Sequence, residues 1–173
     1  FYLNVWVTEL IANVGTINGY SFFPNAFLND PLLFYRDGVV IDYRVCGLNG
    51  NRPTRDKGVT LVHEIGHWLN LSHTWGDDNN AVCGDDYVDD TPVCSGPLWT
   101  PFFQNECTSI SSCILENANQ GLTDIRQIAN VMDYSDDLCR NMFTEHQKQR
   151  MLSTIFTVRS GLFSSDGGCN EPP

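Results

Sequence analysis

The rhythm of polar and apolar positions changes along the chain. Up to residue 45 it alternates as strands do: "FYLNVWVTEL" (1–10), "GYSFFP" (19–24) and "DGVVIDYRV" (37–45) each read as a strand. The second follows a turn at Asn18-Gly19 and the third follows Asp37-Gly38. A polar linker, "NRPTRDKG", leads into "VTLVHEIGHWL", where Leu61, Ile65, Trp68 and Leu69 recur at helical spacing. From Ser72 to about Asp124 no long periodic segment follows, only Gly, Asp, Asn and Pro with interspersed cysteines. A loop region that long in a compact domain is functional or cross-linked. Periodicity returns at Thr144, which forms a capping-box pattern with Gln147. It opens a terminal helix, "EHQKQRMLSTIFTVRSGLF", with Met151, Ile155 and Val158 on one face and Gly161 as its stop.

At 173 residues the chain is long enough to bury a core as one domain. Its net charge of -11, with the acids dispersed, argues against nucleic acid and against anionic membrane surfaces. No run approaches the ~18 apolar residues of a membrane helix. The chain begins at Phe1 and shows no signal peptide, so the expectation is that something upstream has been removed. Seven cysteines (Cys46, Cys83, Cys94, Cys107, Cys113, Cys139 and Cys169) occur without any C-x-x-C pair. Disulfides in an oxidising compartment explain them better than a zinc ribbon, and a secreted protein is expected. The odd count leaves one thiol free or paired outside the chain.

The chemistry concentrates in "HEIGHWLNLSH". His63 and His67 are four residues apart and project from one helix face, while Glu64 points to another side, near whatever a metal there would hold. H-E-x-x-H alone arises by chance on helix surfaces. Here three of the four histidines in the chain fall within this segment, with the glutamate in the acting position. Two imidazoles and a third neutral ligand, His73, suit zinc and leave its fourth position for water, whose proton Glu64 would take. For His73 to return, the chain must turn at Asn70 through a left-handed residue, a conformation that asparagine tolerates.

This segment resembles the metzincin signature, and with the following "TWGDD" it looks most like the pappalysin (cytophagalysin-type) branch. A second element agrees: "NVMDYSDDLC" is similar to the family's Met-turn, with Met132 as the apolar floor under the zinc ligands. The resemblance implies an α+β, metzincin-like fold: a twisted mixed β-sheet with an active-site helix, a loop-rich C-terminal subdomain and a C-terminal helix. It implies a zinc endopeptidase in which Tyr134 stabilises the tetrahedral intermediate. It also implies that "DGVVIDYRV" is the sheet's edge strand, along which an extended peptide substrate docks. The acids after Tyr134, Asp136 and Asp137, would offer a basic P1′ side chain a partner, and Leu138 competes for that place.

The resemblance further implies structural calcium in "CGDDYVDDTP", held by Asp86, Asp89 and Thr91, with Asp77 and Asp78 as a second place. It implies the disulfides Cys83–Cys113 and Cys107–Cys139. Residues 1–173 would form a single catalytic domain that lacks the family's first strand–helix–strand. Residues 1–70 would be the N-terminal part and 71–173 the C-terminal subdomain, with a separate N-terminal segment or propeptide as partner. The alternative is a non-catalytic, metal-stabilised binding domain of the same fold. The presence of Glu64 favours the enzyme.

Overall fold

The computed structural model describes residues 2–9, 17–48, 57–78, 82–96, 107, 113 and 127–164. Residues 51–56 of the "NRPTRDKG" linker, most of the cysteine-bearing loop and Cys169 lie outside these. Three strands, β1 (Asn4–Thr8), β2 (Gly19–Ser21) and β3 (Gly38–Asp42), form one mixed sheet in the order β1-β3-β2. β1 runs parallel to β3, from Asn4↔Gly38 to Thr8↔Asp42, and β2 runs antiparallel, from Gly19↔Ile41 to Ser21↔Val39.

The expected edge strand is therefore corrected. β3 is central, because its apolar run of Val39, Val40 and Ile41 suits a strand flanked on both sides, and Val39 and Ile41 are fully buried. The edge is β2. Gly19 is not a turn residue but the first residue of that strand, where a Cβ would lie 2.9 Å from Glu64 Cγ. Between β2 and β3 the chain forms a short helix α1 (Pro24–Asn29) and a 3-10 helix (Pro31–Arg36), each opened by a proline.

Helix α2 (Val59–Trp68) carries the histidine motif and packs against β2 and β3. Helix α3 (Glu145–Phe156) starts with the full capping box: Gln147 N donates to Thr144 Oγ1 at 3.1 Å, and Thr144 N donates to Gln147 Oε1 at 3.0 Å. It ends at Phe156 rather than at Gly161, which lies in a following 3-10 helix, Ser160–Ser164. The buried positions of α3 are Gln147 and Thr154; Met151 and Ile155 are half-buried on that side, and Val158, beyond the helix end, is exposed. Two disulfides, Cys83–Cys113 and Cys107–Cys139, tie the loop region to itself and to the segment after Tyr134. Among the described residues no helix is long and apolar enough to cross a membrane.

Candidate metal centre

The last turn of α2 and the residues after it bring three imidazoles together. Leu69 N donates to the Ile65 and Gly66 carbonyls, Asn70 N to His67 O at 2.9 Å, and Leu71 N to Gly66 O at 2.9 Å. This closing pattern needs a left-handed residue, and Asn70 has φ 75°. The chain then reverses, so that His67 Nε2 lies 3.1 Å from both His63 Nε2 and His73 Nε2. Among the described residues these three form the only group of three or more His, Cys, Asp or Glu side chains whose ligand atoms converge.

Their protonation follows from what the other ring nitrogens touch. His63 Nδ1 meets Val131 O at 2.7 Å and His67 Nδ1 meets Leu71 O at 2.6 Å. A carbonyl only accepts, so each Nδ1 carries the proton and each Nε2 presents a lone pair. Burial, and after it the neighbouring His67 and His73 rings, push His63 well below the usual imidazole range. Burial likewise lowers His67, against the Leu71 carbonyl and Asp77, and holds His73 down to about 3. Neutral nitrogens converging at this distance repel unless a cation sits between them. Zinc bonds of about 2.0–2.1 Å in a tetrahedron set ligand nitrogens about 3.3 Å apart, so the trio fits the ion.

Glu64 faces the same cleft, of about 240 Å³, which is also lined by Gly19, Tyr20, Phe23, Asp77 and Tyr134. Burial raises its carboxyl to about 8, with Arg140 acting against the shift. The Ser21 hydroxyl donates to the Glu64 carbonyl at 2.7 Å, fixing β2 to α2 at this point. The Tyr134 ring packs at 4.7 Å from both His73 and Trp75, and Trp75 stacks on His73 with 2° between their planes.

Met132 is fully buried beneath α2, against Gly66. Its position is set by Asn130, which the sequence reading passed over. Asn130 Oδ1 accepts from Met132 N at 2.9 Å, while Asn130 Nδ2 donates to Gln147 Oε1 at 2.9 Å. The Met-turn is thus tied to the N-terminus of α3. Arg140, also unread in the sequence, donates to the carbonyls of Val131 and Asp133 at 3.3 and 3.0 Å. It also pairs with Asp137 Oδ1 at 2.5 Å, while Asp137 Oδ2 accepts from Lys57 N. Asp137 is therefore engaged within the fold, Asp136 is buried, and neither is among the residues lining the cleft. No local signal marked Asn130 or Arg140, because their partners are distant in sequence.

The acidic loop is only partly as expected. Asp86 is 2% exposed, and its Oδ2, Asp90 Oδ1 and Thr91 Oγ1 are buried without a hydrogen-bond partner. Asp89 is exposed, and no Asp89 oxygen is among these buried atoms. Burial raises the Asp86 carboxyl to about 7.

A sheet with a histidine-bearing helix beneath its edge strand, a left-handed return and a methionine floor together define the metzincin class of zinc peptidase folds. Comparison with known proteins narrows the class: the chain belongs to the pappalysin family, Peptidase_M43 (Pregnancy-associated plasma protein-A), whose model matches residues 1–156. It is 34% identical to Extracellular metalloprotease 1 of Coccidioides posadasii, over 92% of this chain and 51% of that protein. Mature mirolysin of Tannerella forsythia in complex with a cleaved peptide superposes with a TM-score of 0.64 at 36% identity, covering 89% of this chain and 52% of that one. A promirolysin mutant from the same organism gives 0.63 at 34% identity, over 92% and 48%. The chain spans about half the length of these relatives.

Proposed function

We propose that the chain is the catalytic part of a secreted zinc endopeptidase. The observation that carries this reading is the convergence of three Nε2 atoms, that of His67 lying 3.1 Å from each of the other two, with the buried Glu64 carboxyl on the same cleft. His63, His67 and His73 would hold the zinc, which when bound supplies a Lewis acid that polarises the scissile carbonyl and acidifies a water. Glu64 takes the proton of the attacking water and returns it to the leaving amine. Tyr134 offers its hydroxyl to the developing oxyanion.

The substrate is a polypeptide in extended form. Asn18 O accepts from Asp42 N, so by antiparallel alternation the backbone groups of Gly19 and Ser21 face away from β3, towards the cleft. A peptide can add there as a further strand. The lack of a side chain on Gly19 keeps this rim close to Glu64. The mirolysin structure with a cleaved peptide supports a peptide substrate, and the promirolysin supports a pro-segment as a partner. Secretion is supported by the disulfides and by a relative named as extracellular. Calcium, held by Asp86, Asp90 and Thr91, would neutralise the unpartnered oxygens of the acidic loop. Residues 1–173 would work as one catalytic unit, with the sheet and α2 on one side of the cleft and the Met-turn segment on the other.

The test is cleavage of denatured protein by the full chain, with and without chelator, beside Glu64→Ala. Chelation should abolish cleavage and zinc restore it, while Glu64→Ala should bind zinc but lose about 10²–10⁴-fold in rate. Zinc binding without any cleavage would instead leave a metal-stabilised binding domain.

A further inference from the structure

The C-terminal end of α2 is held by a buried cluster drawn from three distant parts of the chain. Arg159, 2% exposed, follows α3. Its Nε donates to the Trp68 carbonyl at 2.9 Å and its Nη1 to Asp37 Oδ2 at 2.8 Å. The guanidinium lies 3.5 Å from the centre of the Trp68 ring, and Trp68 Nε1 donates to Asp37 Oδ1 at 2.7 Å. Asp37 immediately precedes β3, and its own carbonyl accepts from Asn4 Nδ2 of β1 at 3.2 Å. The cluster therefore joins the sheet, the end of the histidine helix and the segment beyond α3.

Trp68 stands between His67 and the turn that returns His73. The backbone donors of that turn go to the carbonyls of Ile65, Gly66 and His67, and the next carbonyl, that of Trp68, goes to Arg159. A buried ion pair contributes little net stability against apolar packing of the same volume, so the reason for placing one here lies in geometry. The planar fork fixes two directions at once, which a point charge does not.

We propose that Arg159 is a positioning residue for the metal centre: anchored to the sheet through Asp37, it sets where α2 ends and so the angle at which His73 returns to His67. This rests on the zinc reading of the three histidines. Outer contacts of this kind typically change metal affinity about 10–100-fold when removed.

The experiment uses the full chain and measures zinc affinity by competition with a chromophoric chelator, well below the melting point of each variant. The visible spectrum of the cobalt-substituted protein is recorded alongside. Arg159→Lys keeps the charge and loses the fork; Asp37→Asn with Arg159→Gln removes both charges and leaves no unpaired buried ion. Trp68→Phe removes the indole hydrogen bond to Asp37 and shrinks the ring beneath the guanidinium, but keeps the backbone carbonyl that accepts from Arg159. The two Arg159 variants should fold, bind zinc about 10–100-fold more weakly and shift the cobalt bands. Trp68→Phe should melt lower with affinity and bands unchanged. The inference is overturned if the Arg159 variants lose only thermal stability, if they fail to fold, or if Trp68→Phe weakens zinc equally. Failure of the unsubstituted protein to bind zinc would overturn the zinc reading first, and this inference with it.

Discussion

Gly66 and Met132 meet so closely that no side chain fits between them: a Cβ built on Gly66 would overlap the Met132 sulfur and lie 3.3 Å from Cε. The contact lies one residue before His67 and sets how deeply the histidine helix settles on its floor. On helix propensity alone, Gly66→Ala would gain about 1 kcal/mol. Overpacking a fully buried methionine costs about 1–3 kcal/mol and should win. We therefore expect Gly66→Ala to lower the melting temperature and weaken zinc binding, with Met132→Ala in the same chain relieving part of the loss. A rise in melting temperature in the single variant would contradict this packing.

Asn70, at φ 75°, is strained for any side chain but tolerates this region better than most. Asn70→Gly should be neutral or stabilising in the zinc-loaded protein, whereas Asn70→Ala should cost about 1 kcal/mol or more. Chemical denaturation of the two variants with zinc present decides it; equal stabilities would remove the left-handed turn from the account.

Asn130 bonds with both ends of its amide while fully buried. Asn130→Asp keeps the acceptor for Met132 N but turns the donor facing Gln147 Oε1 into an acceptor. Opposed buried acceptors should cost about 1–3 kcal/mol, and cleavage activity should fall with the disturbed Met-turn. Asn130→Asp variants that melt like the unsubstituted protein at neutral pH would show that the link to α3 is dispensable.

Asp86 supplies a pH dependence whose sign is fixed by burial. Its carboxyl is raised to about 7 in the fold, above the value near 3.8 of a free side chain. A raised acid binds protons better folded than unfolded, so the calcium-free protein should lose stability as pH rises from about 4 to about 7. Calcium would neutralise the carboxylate and flatten this slope, as would Asp86→Asn without calcium. Melting curves across that range, with and without calcium, would reject the idea if the slope were absent or insensitive to the ion.

Whatever rests on neighbours within a helical turn or a tight loop is legible in the local pattern of residues. The pairing of His63 with His67 follows from a spacing of four on one helix face, the left-handed return from the tolerance of Asn70, and the capping box from Thr144 and Gln147. Each interaction lies inside a few residues, so the local pattern carries it. Strand order does not, because pairing energies are non-local. The apolar run of Val39, Val40 and Ile41 suits a flanked strand, but which strands flank it is known only once β1 and β2 are seen on either side. Long-range packing places Gly19 at the cleft beside Glu64, makes Asn130 the support of the Met-turn, engages Asp137 with Arg140 and brings Arg159 back to Trp68 and Asp37. Those side chains look unremarkable in sequence because their partners are brought to them by burial of the whole fold.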